Sequence, residues 1–200
     1  DADTARADDP GLRAALDAMT IPEFSARAQD GREITRADLE GHWTVLSFGF
    51  THCTLVCPIM HGQMHELQEM LKRGGLAPGD VRILTISVDP TNDTVERLAE
   101  YAANMQADPE VWTFARTEPD DLERLMVEGL GLGMSVDQSR QVDMGGGRMM
   151  DDIVHSSRVL VVGPDLRLVD MYRGTDPADI DRMVGDLRRW TGSAPSLIHI

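Results

Sequence analysis

The eight residues Trp43 to Phe50 (WTVLSFGF) are almost continuously apolar or β-favouring, as a strand covered on both faces must be. They run without a break into Thr51-His52-Cys53-Thr54-Leu55-Val56-Cys57-Pro58, after which Met60, Met64, Leu67, Met70 and Leu71 recur at helical spacing. A buried strand that hands over directly to a helix commits the chain to an α/β arrangement and sets both cysteines at the handover. Val81 to Val88 (VRILTISV) reads as a second buried strand. A helix is expected from about Asp93, with Glu96 three positions on completing a capping-box pattern. Strand, helix, strand, helix predicts a parallel βαβ core.

Around this core the signals are shorter. Phe24 to Ile34 alternates about Asp30-Gly31, a hairpin sequence because both positions tolerate positive φ. Trp112 to Ala115 reads as a short strand, and Thr117-Glu118-Pro119-Asp120 opens another helix. Residues 129–152 are rich in glycine without a clear period and carry Met144, Met149 and Met150, so a long loop is expected there. Ser157 to Val162 and Leu166 to Tyr172, joined by Gly163-Pro164-Asp165, predict an antiparallel hairpin, and a last helix starts near Asp176-Pro177 and runs to about Trp190. The expected organisation is an acidic leader over 1–20, loosely ordered or a short helix, then one domain over 21–192 and a tail over 193–200.

Charge and cysteine usage narrow the function classes. A formal charge of −15 repels polyanions and favours cations or basic partners, which argues against nucleic acid and against adhesion to an anionic membrane. No apolar run approaches the roughly 18 residues of a membrane-spanning helix. The start at Asp1 fits a processed export product or a trimmed chain. Two cysteines four positions apart close too short a loop to stabilise much as a disulfide, so they are expected to do chemistry.

A thiolate at a helix start is favoured by the unpaired amides and the positive end of the dipole. The C-x-x-x-C spacing suits two sulfurs converging on one soft ion, and soft thiolates select Cu(I) or zinc, with an imidazole as an apt third ligand. Of the six histidines, His155 stands at the edge of the long loop just before the C-terminal hairpin, which topology brings opposite the cysteine helix. His52 adjoins Cys53 and points elsewhere by its spacing. His61 and His65 lie one and two turns beyond Cys57, as ordinary helix-face residues or a second, weaker metal face. Met60 and Met64 read as core.

Three spaced segments carry a specific likeness: Phe48-Gly49-Phe50-Thr51-His52-Cys53-x-x-x-Cys57-Pro58, then Ser87-Val88-Asp89-Pro90-x-x-Asp93-Thr94, then Val154-His155-Ser156 with Pro164 eight positions on. In these the chain resembles the Sco/SenC family over roughly residues 22–190. The resemblance implies a thioredoxin-like α/β fold with a central mixed sheet, an N-terminal β-hairpin and flanking helices. It implies a copper chaperone that binds one copper, Cu(I) or Cu(II), through Cys53, Cys57 and His155. Its implied partners are a copper donor and a recipient cuproprotein, such as the oxidase subunit holding the dinuclear copper centre of cytochrome c oxidase. It also implies a periplasmic location or one on the outer face of the inner membrane, with or without an anchor in the precursor.

Three positions depart from the family pattern: Thr54-Leu55 replaces Pro-Asp, Val154 replaces an acidic residue, and Val95 replaces a proline. The first two remove carboxylates from beside the expected site and alter its tuning. The rival reading is a thiol-disulfide reductase, with Cys53 attacking and Cys57 resolving. Against its usual form, the spacing is not C-x-x-C and no proline occurs between Pro119 and Pro164 to supply a cis-proline opposite the cysteines. Zinc fits Cys₂His plus water as well as copper does. A thioredoxin-fold peroxidase is weaker, because the groups that would polarise peroxide are not identifiable.

Overall fold

The computed structural model describes residues 10–193. Of the expected leader and tail, residues 1–9 and 194–200 lie outside the described residues. A short helix α1 (Pro10–Asp17) precedes the hairpin of β1 (Ser25–Ala28) and β2 (Glu33–Thr35). The hairpin turns where expected: Gly31 takes φ +83°, and Asp30 accepts from the Arg32 amide at 3.0 Å. Then follow β3 (Trp43–Gly49), α2 (Val56–Arg73), β4 (Val81–Ser87), α3 (Val95–Asn104) and β5 (Trp112–Thr117). Helix α4 (Pro119–Glu123) loosens into a wider turn over Arg124–Gly129. β8 (Arg158–Val162) and β9 (Leu168–Arg173) form the C-terminal hairpin, and α5 (Pro177–Thr191) closes the domain with Asp176 capping the Ala178 amide.

The central sheet has the order β2-β1-β5-β4-β3-β8-β9. β3, β4 and β5 run parallel, and the outer pairings are antiparallel, so the sheet is mixed and thioredoxin-like as the resemblance implies. Alternate residues of β3 feed two cores, which is why its sequence is apolar on both faces. Leu46 and Phe48 join Leu84, Ile86, Leu125 and Leu160 on one side of the sheet. Val45 joins Met60, Met64, Leu67, Ile83, Tyr172 and Leu187 on the other, which confirms Met60 and Met64 as core fillers. β3 and β4 end in register at Gly49 opposite Ser87. The segments after them therefore emerge side by side, at the carboxyl ends of parallel strands where α/β sheets place their sites.

Two expectations need correcting. Residues 129–152 are not a long loop: β6 (Met134–Asp143) and β7 (Met149–His155) pair as an antiparallel ribbon, turning through Gly145, Gly146 and Gly147, all at positive φ. Most of β6 is exposed, so its stability comes from the ladder rather than from apolar burial, and an alternating apolar pattern never arises. The cap of α3 is Thr94, whose side chain accepts from the Arg97 amide at 3.2 Å. Asp93 is not free to cap because its carboxylate is already bonded to Ser87 and Thr51.

Candidate metal centre

Helix α2 starts with Leu55 at its N-cap, a residue with no side-chain acceptor, so the first-turn amides lack the usual partner. Cys53 takes that place: its Sγ accepts from the Cys57 amide at 3.5 Å. The hydrogen bond from the Cys57 thiol lowers the Cys53 pKa most. Burial opposes this, and the amides of Cys57, Leu55 and Val56 add to the lowering, so Cys53 is held at about 5. Cys57 goes the other way, pushed up by donating to Cys53 and by complete burial. The two thiols are free and unequal: Cys53 is a half-exposed thiolate, Cys57 a buried proton donor.

His155 ends β7, and its Nε2 lies 3.6 Å from Cys57 Sγ. Its Nδ1 is 3.0 Å from the Ser156 carbonyl. A carbonyl only accepts, so Nδ1 carries the proton and Nε2 presents its lone pair to the sulfur. Burial lowers the His155 pKa, which keeps the ring neutral and fit to ligate. The ring also meets Phe50 edge-on, centroids 6.1 Å apart. Ribbon register sets Met134 directly opposite His155, a neighbour that no spacing in the sequence foretells. Met149 and Met150 lie six and five residues back along β7, and Met150 packs partly against the core with Asn92 4.0 Å from its sulfur. Met144 sits at the turn, hydrogen-bonded through its amide to the Arg148 carbonyl.

A second polar group sits beside the cysteine loop. Donor atoms of His52, Asp89 and Asp93 lie within 4.8 Å of one another, all buried. The carboxylates are already satisfied: Asp93 accepts from Ser87 Oγ (2.5 Å), Thr51 Oγ1 (2.6 Å) and the Thr51 amide (3.2 Å), while Asp89 accepts from Asn92. This network ties the start of the cysteine loop to the end of β4. His61 is no surface residue: its ring packs edge-on against Tyr101 and Phe114, with Nδ1 2.8 Å from Tyr101 Oη. His65 is half-buried on the same helix.

The family model described as SCO1/SenC matches residues 13–192. The chain belongs to the SCO1/SenC family. Among curated relatives, the SCO1 protein homolog of Bacillus subtilis is 27% identical over 169 residues, covering 84% of this chain and 81% of that one. Against four longer mitochondrial relatives the match covers between 23% and 29% of their length. Several solved structures share the fold. Arabidopsis thaliana ScoI with copper bound is 24% identical, with TM-score 0.68, over 88% of this chain and 99% of that one. The Sco protein BsSco, described with a disulfide switch and as a member of a family of cytochrome c oxidase assembly proteins, is 26% identical, with TM-score 0.70, over 88% and 96%.

In this SCO1/SenC chain two of the departures noted in the sequence, Thr54-Leu55 and Val154, fall on the rim of the site. Leu55 and Val154 are 56% and 47% exposed. They border an open groove of about 220 Å³ that also takes in Cys53, Val56, Arg140, Asp152 and His155. Asp152 is paired with Arg140 at 3.2 Å, so its charge on the groove is partly neutralised. The groove leads from solvent to Cys53, while Cys57 lies behind it.

Proposed function

We propose that this protein is a copper metallochaperone that holds one ion through Cys53, Cys57 and His155 and passes it to a recipient cuproprotein, such as an oxidase subunit. One observation carries the reading: two thiols on one loop and an imidazole 98 residues away converge, with Cys57 Sγ 3.6 Å from a histidine nitrogen whose lone pair faces it. Two thiolates and one neutral imidazole form a soft, incomplete shell suited to copper and open to ligand exchange. The relative solved with copper bound supports the choice of metal. The relative described in cytochrome c oxidase assembly supports the class of recipient. A compartment outside the cytoplasm fits that role. The test is a copper titration of the reduced protein beside a Cys53→Ser/Cys57→Ser variant, following stoichiometry and the thiolate-to-copper band.

The second reading, a thiol-disulfide reductase, is favoured by the inequality of the two thiols. Cys53 thiolate would attack a disulfide on the recipient and expel one of its sulfurs as a thiol. Cys57, losing its proton, would then attack Cys53 in the mixed disulfide and release the second thiol. The recipient gains two electrons and two protons, one from Cys57 and one from solvent, and this chain is left with a Cys53–Cys57 disulfide. A disulfide-bonded substrate reduced stoichiometrically by copper-free protein would support it.

A further inference from the structure

We propose that His61 and Cys57 form an inner position for the same copper ion, behind the outer one at Cys53, Cys57 and His155. This deepens the copper-holding reading and rests on it. His61 stands one helical turn beyond Cys57 on α2, so the two side chains share a face, and that face is the buried one: His61 is only 1% exposed. The strand beneath them ends in Gly49. A Cβ added there would meet His61 Nε2 at 2.8 Å and Cys57 Sγ at 3.4 Å. The two donor atoms therefore flank the bare Cα of Gly49, no more than about 6 Å apart.

His61 Nε2 has no hydrogen-bond partner among the described residues. A buried polar nitrogen left unpaired is destabilising, and such an atom calls for a reason. Its other nitrogen is placed as a metal-bound histidine's would be. Tyr101 Oη, 2.8 Å from Nδ1, can accept or donate; in the tautomer in which Nδ1–H donates to it, Nε2 carries a free lone pair. At His155 the corresponding partner is the Ser156 carbonyl, which can only accept. Beside His61 lies a cavity of about 10 Å³, bordered by Gly49, Ser87, Asp93 and Tyr101. That is room for a single water-sized particle and nothing larger.

Cu(I) accepts a soft thiolate and an imidazole as a two-coordinate pair. First-row metal bonds of about 2.0–2.3 Å would bridge sulfur and nitrogen some 4.3 Å apart, which a modest rotation of either side chain achieves. In moving inward the ion keeps its bond to Cys57, loses those to Cys53 and His155, and gains one to His61 Nε2. No electron is transferred, and Cys53 remains a thiolate. The inner position is shielded from solvent, and the outer one faces the groove where a recipient must dock.

X-ray absorption at the copper edge of Cu(I)-loaded protein, counting imidazole and sulfur ligands, tests the proposal. His155→Ala is expected to hold one Cu(I) that still shows one imidazole. His155→Ala/His61→Leu is expected to show none and to bind at least tenfold more weakly. A sulfur-only ion in His155→Ala, or an imidazole surviving in the double variant, would overturn it. Should the double variant not fold, His155→Ala/Tyr101→Phe removes only the partner of Nδ1. It is expected to bind Cu(I) several-fold more weakly than His155→Ala, and equal affinity would count against the inner position. Failure of the wild type to hold copper would instead sink the copper-holding reading itself.

Discussion

The Nε2 atom of His155 lies 3.6 Å from the sulfur of Cys57, although 98 residues separate them in the chain. The β6–β7 ribbon makes this possible. It leaves the sheet after the α4 segment, and β7 returns to end at His155 just before β8, which pairs with the strand that leads to the cysteines. Cys57 is thus held between a helix it begins and a histidine delivered by the ribbon.

The inequality of the thiols predicts their reactivity. Iodoacetamide at pH 6 should label Cys53 and leave Cys57 untouched until the chain unfolds, with the Cys53 rate inflecting near about 5. Peptide mapping by mass spectrometry reads the site of labelling. Equal labelling of both would contradict the assigned donor and acceptor.

Removing His155 should affect the two copper states differently. In His155→Ala, Cu(II) affinity is expected to fall at least ~10- to 100-fold, and Cu(I) affinity by much less, because the softer ion needs only two ligands. Competition titrations with chelators for each state measure this, and equal losses would argue against His155 as a ligand.

Asp93 anchors the cysteine loop through Thr51 and Ser87. Asp93→Ala leaves those buried donors unpaired and should cost roughly 2–4 kcal/mol in urea denaturation. It should also speed alkylation of Cys57 in the folded state. Wild-type stability in the variant would show that the network holds nothing in place.

Acid stability should report on Asp179. Burial alone would raise its pKa, but hydrogen bonds and charge from Arg173 and Arg182 outweigh that and hold the carboxyl at about 2. A carboxyl depressed in the folded state adds stability above its unfolded pKa of about 3.8, and that stability is lost as pH falls from about 4 to about 2. Asp179→Asn should remove this part of the acid dependence, on the order of 1–2 kcal/mol because solvent screens half-exposed Arg173. Denaturation curves at pH 5 and pH 2.5 make the comparison, and parallel loss in both proteins would be against it.

Much of this was legible in the sequence, and the exceptions share a cause. Trp43 to Phe50 and Val81 to Val88 announce themselves because both faces of each strand are buried. Asp30-Gly31 and Asp176-Pro177 announce themselves because backbone geometry demands such residues. The ribbon is not legible in the sequence, since Ser135, Asp137, Gln141 and Asp143 pair through the backbone and leave no apolar period. Asp93 reads as a cap because the sequence does not show that Ser87, six residues back, and Thr51, 42 residues back, bond its oxygens. His61 reads from its spacing as a helix-face residue, and its burial and unpaired nitrogen are visible only in three dimensions.

The most direct test of the central claim is a copper titration of the fully reduced protein and of Cys53→Ser/Cys57→Ser, followed by absorption and metal content. One tightly held copper in the wild type, a thiolate-to-copper band in the Cu(II) form, and loss of both in the variant are expected. No tight copper in the wild type, or equal copper in the variant, would contradict the account.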